Sequence, residues 1–314
     1  MKGKKVKKLN FAAQERVGWL FIAPWIVGFV FLTAVPMVIS LYMSFHDWDM
    51  FSDPVFVGFD NFANLLNPTV FEGATFYAAL GNTLLYTLFT AVINLVLGLG
   101  VAWAISKPSH LSTALRTIIY LPCMLIGIAF AMMMGFIFDS NAFSLINQLR
   151  AACGQAPQEW LFTKGQGVWV MILTSFWGIG GAMIVFVAGV KNIDRSIYEA
   201  AQIDGASNFK VFIRICIPCM KPVIIYQVIM GLIFGMQVFD IAVGLASVGG
   251  AGSSLGMGID NSLATLVYYL YNKGFKDFQM GFASAIGWLI FLLTSMIGAG
   301  LYFFVRKTGY YEVD

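Results

Sequence analysis

Residues 73–106 read GATFYAALGNTLLYTLFTAVINLVLGLGVAWAIS, a run of thirty-four residues without a single Asp, Glu, Lys or Arg. A helix of about 20 apolar residues is long enough to cross the hydrocarbon core of a bilayer, which is roughly 30 Å thick. The stretch therefore predicts a membrane-spanning helix.

Four other stretches lack these charged residues, at 17–46, 117–138, 165–190 and 278–305, and a further apolar stretch at 222–259 contains only Asp240. We therefore predict an all-α integral membrane protein with six transmembrane helices, whose cores lie near residues 18–44, 80–105, 117–138, 167–190, 222–244 and 283–305. Residues 17–305 would form one transmembrane domain, between a basic N-terminal segment at 1–16 and a short tail at 306–314.

The composition of the whole chain agrees with a membrane protein. Hydrophobic residues make up 59% of the 314 residues, charged residues make up 11%, and the mean hydropathy is +0.79. In soluble domains, hydrophobic residues average about 45–50% and charged residues about 25%. The net charge of +3 is too small for a nucleic-acid binder, and four cysteines do not make a disulfide framework.

The basic residues predict the orientation. With both termini on one side, that side holds fifteen of the nineteen Lys and Arg residues. The first loop on the other side, residues 46–72, has five acidic residues and no Lys or Arg. The positive-inside rule then places both termini in the cytoplasm. The longest cytoplasmic loop would be residues 191–221.

Within this loop, residues 194–209 read DRSIYEAAQIDGASNF. Ser196 and Glu199 have the spacing of a capping box, Gly205 suits a left-handed helix stop, and Ser207 or Asn208 can cap a second helix. The second helix would have one apolar face, made of Phe209, Phe212, Ile213, Cys216 and Ile217. By patterning alone, the loop is an amphipathic hairpin that only connects two spans.

The residue types in this loop also indicate a function. Glu199-Ala-Ala-Gln-Ile-Asp-Gly205, with the later Ile215-Cys-Ile-Pro218, resembles the EAA loop of ABC importer permeases. The longer form, from Tyr198 to Ser207, is similar to the carbohydrate-uptake, maltose-type branch. Weaker similarities at 81–86, 120–122, 237–240, 265–269 and 280–285 extend the resemblance to about residues 15–305. Ile217 replaces the usual Leu, and the Gly-rich segment 247–254 lacks the proline of many relatives.

The resemblance implies a coupling helix that docks on a cytoplasmic ATPase. Its ATPase-coupling residues would be Ser196, Tyr198, Glu199, Ala200, Ala201, Asp204 and Gly205. The implied partners are a second permease subunit, a dimer of the ABC ATPase, an extracytoplasmic solute-binding protein and a sugar substrate, in the plasma membrane of a prokaryote. The sequence contains no G-x-x-x-x-G-K-[ST] motif, so ATP and magnesium would bind the ATPase. This chain would be a transport subunit without catalytic residues, cofactor or metal site.

Asp240 is the only charged residue within a predicted span, which marks a functional hypothesis. Gln237 and Phe239 lie beside it in the sequence, and an amide next to an aromatic ring is suited to binding a sugar. Trp177 is a further candidate for the wall of the substrate path. An interfacial anchor is the plainer interpretation of Asp240. The alternative function is an ion-coupled secondary transporter that uses Asp240, although no internal repeat relates the two halves.

Two short motifs have structural interpretations. Cys216-Ile-Pro-Cys219 lacks the βαβ context of a redox motif, so we interpret its cysteines as structural. Gly231-Leu-Ile-Phe-Gly235 predicts close helix packing, which could involve the partner subunit.

Overall fold

A computed structural model describes residues 11–106, 109–125, 127–161, 163, 165–248 and 256–307. The predicted basic segment before residue 11, the tail after Lys307 and most of the Gly-rich segment 247–254 lie outside the described residues. The described chain is mostly helical, with one two-stranded antiparallel hairpin of β1 (His46–Asp47) and β2 (Val55–Phe56).

The helices in chain order are α1 (Phe11–Phe29), α2 (Val35–Met43), α3 (Asp60–Leu66), α4 (Phe71–Ala104), α5 (His110–Tyr120), α6 (Gly127–Ile137), α7 (Leu145–Ala152), α8 (Gly167–Ser175), α9 (Ile179–Lys191), α10 (Arg195–Ile203), α11 (Asn208–Val211), α12 (Ile217–Cys219), α13 (Lys221–Met236), α14 (Asp240–Val248), α15 (Leu266–Tyr271) and α16 (Met280–Lys307). Single 3-10 turns lie at Leu121–Met124, Phe176–Gly178 and Ile259–Asn261, and single π turns at Val30–Ala34, Phe212–Cys216 and Asn272–Lys276.

Four helical segments of the described chain are long and apolar enough to cross a membrane: Val17–Met43, Phe71–Ala104, Gly167–Lys191 and Met280–Lys307. Each overlaps one of the predicted spans. Two further pairs of helices qualify only if each bent pair is counted as one span. The structure thus supports four to six spans, and the count of six stays a prediction.

The span predicted at 117–138 is not one continuous helix. The chain bends there by 96° between His110–Met124 and Gly127–Ile137. Pro122 lies in the intervening 3-10 turn, and Leu125 has the extended angles φ −75° and ψ 147°. A proline lacks the N–H that the helix would need and its ring crowds the preceding turn, so the helix stops at this point.

The predicted helix at 222–244 is also interrupted. α13 ends at Met236 and α14 begins at Asp240. The carbonyl of Val238, inside the break, accepts a hydrogen bond of 2.8 Å from the hydroxyl of Thr265. A side chain 27 residues away thus satisfies a backbone group that an unbroken helix would pair internally. Asp240 therefore begins a new helix instead of lying inside one continuous span.

The core consists of two apolar clusters. The first includes Phe76 and Tyr86 of α4 with Met236 and Leu245. The second includes Leu99 of α4 and packs α9 against the segment that follows α11. α4 contributes side chains to both clusters and so connects the two halves of the core.

The G-x-x-x-G motif packs within this chain. A methyl group added to Gly235 would lie 2.8 Å from the Thr87 side chain, and one added to Gly231 would lie 3.8 Å from Ala91. Both glycines therefore face α4 rather than a partner subunit, which the motif alone could not decide.

Candidate functional site

The predicted coupling segment forms a helix–turn–helix between Asp194 and Cys219. α10 ends in a Schellman motif: the N–H of Gly205 donates to the Gln202 carbonyl and the N–H of Ala206 donates to the Ala201 carbonyl, both at 3.0 Å. Gly205 has φ +69°, so the predicted left-handed stop is confirmed. These bonds fix the direction in which the chain leaves α10.

The predicted capping box of Ser196 and Glu199 is wrong. Asp194 caps the helix instead, and its carboxylate accepts a 2.9 Å hydrogen bond from the Ser196 N–H, which lowers the pKa of Asp194. Because α10 begins at Arg195, Ser196 is already helical and Glu199 lies in the second turn. Glu199 pairs with Arg195 at 2.9 Å, as residues four apart on a helix can.

Two side chains of α10 face the rest of the protein. Ala201 is buried and Tyr198 is half-buried, with its ring centroid 6.1 Å from that of Trp103 near the end of α4. Burial raises the pKa of the Tyr198 hydroxyl, and burial raises the pKa of the Cys216 thiol to about 11. Cys216 thus stays a protonated thiol at neutral pH, which agrees with the structural interpretation of the C-x-x-C motif.

The opposite side of α10 is open. Glu199, Ala200 and Asp204 are exposed, and the Ile203 side chain is 86% exposed. An isoleucine at the exposed end of a short, well-capped helix suits contact with another protein. Sequence reasoning did not single out Ile203 or Trp103.

The second helix is capped by Ser207, one of the two predicted candidates, whose hydroxyl accepts a hydrogen bond from the Lys210 N–H at 3.4 Å. The predicted single apolar face of this second helix is only partly confirmed. Cys216 is buried, whereas Phe209 is 73% exposed and Ile213 is 43% exposed. The π turn at Phe212–Cys216 widens the helix and rotates these positions away from the 3.6-residue spacing.

A second feature is a cavity of about 590 Å³ between α4 and α13, beside the break at 237–239. Gln237, Phe239 and Asp240 line it, as the sequence placed them together. Trp177 does not line it: this side chain is 53% exposed and its ring lies 6.4 Å from that of Phe130. The structure does not bring Trp177 into this cavity, and its place on the substrate path stays a prediction.

Asp240 lies where two helices begin. It is the first residue of α14, and its carboxylate packs against Gly127, the first residue of α6. A methyl group added to Gly127 would lie 2.7 Å from the Asp240 Oδ2. The carboxylate thus lies at the positive ends of two helix dipoles, which favour a negative charge, and the Asp240 residue itself is exposed.

The other polar wall of the cavity was not predicted. Tyr86, Thr90 and Asn94 line it from α4, while Tyr226 and Gln227 line it from α13. The three α4 residues are four apart, so they form one polar stripe along an apolar helix. That spacing is the signal that could have identified them. Amides, hydroxyls and rings together can hydrogen-bond and stack on a sugar.

The residues described contain no group of three or more His, Cys, Asp or Glu side chains that could hold a metal ion.

Comparison with known proteins identifies the class of the chain. The model of the family described as "Binding-protein-dependent transport system inner membrane component" matches residues 94–308. The "Probable ABC transporter permease protein YesP" of Bacillus subtilis is 32% identical over 301 residues, covering 94% of this chain and 91% of that protein. The arabinooligosaccharides transport system permease protein AraP of the same organism is 30% identical, covering 93% and 90%.

Solved structures show the same fold. A chain of a bacterial alginate ABC transporter, in complex with an alginate pentasaccharide-bound periplasmic protein, superposes with a TM-score of 0.78 at 22% identity and covers 94% of this chain and 96% of its own. The family match, the relatives and the membrane-spanning helices agree. The chain belongs to the family of binding-protein-dependent transport system inner membrane components, as an ABC transporter permease.

Proposed function

We propose that this chain is the membrane-spanning permease subunit of an ATP-driven importer that takes up a sugar or oligosaccharide. The relatives support the substrate class, since their names include arabinooligosaccharide, lactose, and trehalose/maltose transport. The cavity supports it too, with Asn94, Gln227 and Gln237 amides beside the Tyr226 and Phe239 rings. The ion-coupled alternative has no support among these relatives.

One observation carries the coupling role, which is the geometry of α10. The helix is fixed at its start by Asp194 and at its end by the Gly205 turn, and its open side presents Glu199 and Ile203. A two-turn helix held at both ends transmits a displacement, whereas a loose loop would absorb it. Ser196, Tyr198, Ala200, Ala201 and Asp204 complete the proposed coupling set.

The proposed assembly contains a second permease subunit, two copies of a cytoplasmic ATPase that bind ATP and magnesium, and an extracytoplasmic solute-binding protein. The chain would cross the plasma membrane of a prokaryote six times, with both termini and residues 191–221 in the cytoplasm. The distribution of Lys and Arg supports this orientation. ATPase closure would move α10 and open the cavity outward, so that the sugar passes Gln237, Phe239 and Asp240.

The test is to purify the tagged chain in detergent with its co-purifying subunits and to reconstitute the complex in proteoliposomes. ATP hydrolysis is then measured with the solute-binding protein and a panel of neutral mono- and oligosaccharides. We expect an ABC ATPase in the complex and a severalfold stimulation by at least one sugar. A chain that purifies without an ATPase, and whose uptake follows an ion gradient instead, would contradict the proposal.

A further inference from the structure

We infer that α4 transmits the movement of the coupling helix to the wall of the cavity, through a contact between Trp103 and Tyr198. The inference rests on the proposed function, because it assumes that α10 moves with an ATPase. It adds a positioning role for Trp103, a residue outside the coupling loop.

Trp103 contacts both halves of the coupling segment. Its ring centroid lies 6.1 Å from that of Tyr198 on α10 and 5.3 Å from that of Phe212 in the π turn after α11. Both separations are within the range of favourable aromatic pairs. Trp103 is the next-to-last residue of α4, so the two halves of the segment meet at the end of this helix.

α4 leads from this contact to the cavity without interruption. It is a single helix of 34 residues, about 50 Å long. Asn94 and Thr90, which line the cavity, lie nine and thirteen residues before Trp103 on the same helix. A displacement at the end of a continuous helix reaches residues about two and a half to three and a half turns away with little loss.

α9 leads directly into α10 and also lines the cavity, so it is a covalent route beside α4. The covalent route through α13 is less direct. Residues Asn208–Cys219 lead into α13, but the two helices meet at a bend of 71°. A bend can change its angle and absorb movement. Gly98, between the cavity and Trp103, brings α4 close to α9: an added methyl group would lie 3.2 Å from the Ala182 Cβ. This close contact gives α4 a point about which it can tilt.

The experiment separates ATP hydrolysis from opening of the cavity and needs no identified sugar. The complex of this chain with its partner permease and ATPase is reconstituted in proteoliposomes, with Asn94→Cys as a reporter. Labelling by a membrane-impermeant maleimide is compared with and without ATP and vanadate. Trp103→Ala and Tyr198→Ala test the contact, and Trp103→Phe is the conservative variant. Trp19→Ala is the matched control, because the Trp19 side chain is 61% exposed on the first span.

The reporter requires a background without other reactive thiols. Cys123, Cys153 and Cys219 are free and at least partly exposed, so each is replaced by Ser. Cys216 is buried and is kept.

We expect ATP and vanadate to change labelling at least fivefold in the unsubstituted complex and in the Trp19→Ala control. Trp103→Ala should keep co-purifying ATPase and hydrolysis within about twofold, yet lose the change in labelling. Tyr198→Ala should lose the change in labelling as well, and the double variant should be no worse than either single one. Trp103→Phe should restore it. An unaltered labelling change in both Ala variants would overturn the inference and leave the proposed function intact, whereas an unsubstituted chain without an ATPase would contradict the proposed function itself.

Discussion

Gly205→Val is the sharpest test of the coupling helix. At φ +69° the glycine occupies the left-handed region, and a methyl group added there meets no atom within 4 Å. The cost of the substitution is therefore conformational rather than steric: about 1–2 kcal/mol for a residue with a Cβ, and more for a β-branched one. Such an energy shifts a local equilibrium about 5- to 30-fold, but it is small beside the stability of a folded protein.

The variant should therefore insert and accumulate almost normally, while the end of α10 leaves its native direction. We expect ATPase co-purification and sugar uptake to fall about fivefold or more when both are measured in the same cells as membrane abundance. Gly205→Asn should retain most of the activity, since Asn adopts the left-handed conformation more readily than Val does.

Gly154 provides a matched control. It has φ +75°, an added methyl group also meets no atom within 4 Å, and it lies in the turn after α7, outside the coupling segment. Gly154→Val carries the same backbone cost without touching α10, so uptake should stay near normal. Normal uptake with Gly205→Val, or an equal loss with Gly154→Val, would contradict a coupling role for α10.

Three further predictions test the remaining assignments. Glu199→Lys should leave membrane abundance unchanged, because the exposed ion pair with Arg195 contributes at most about 1 kcal/mol to stability. The variant should nevertheless lower ATPase co-purification, and unchanged co-purification would remove Glu199 from the docking surface. Asp240→Asn should give partial uptake with a weaker apparent affinity, measured as the sugar concentration at half-maximal rate, and complete loss at every concentration would contradict a role as a neutral-tolerant sugar ligand. Proton and sodium ionophores should leave uptake unchanged while ATP is plentiful, and a full stop would favour the ion-coupled alternative.

The positions of the long helices could be predicted because crossing a membrane imposes a length and forbids charge. The unbroken stretches at 73–106 and 278–305 correspond to α4 and α16 within a few residues. The same rule could not locate the breaks. The end of α13 depends on Thr265, which comes from a distant segment to pair with Val238, and apolar composition contains no information about such a contact.

The coupling segment shows how far local rules extend. The Gly205 turn follows from a single residue whose preference is strong, and this prediction was confirmed. Of the two caps predicted for the second helix, Ser207 is the one that forms. The first cap was mistaken because Asp194 and Ser196 are both good capping residues and only two positions apart. Local rules do not rank two such candidates, and a shift of two residues in the helix start is enough to give Glu199 a different partner.

The cavity has the opposite character, because its walls are made by segments far apart in the chain. Gln237, Phe239 and Asp240 could be proposed as neighbours in sequence, whereas Trp177 was included only for its chemistry and lies outside this cavity. The polar stripe of α4 reaches the cavity because Gly235 lets α13 approach Thr87 closely. Since the same helix ends at Trp103 against the coupling segment, the two candidate sites are physically connected, which no reading of either motif alone would suggest.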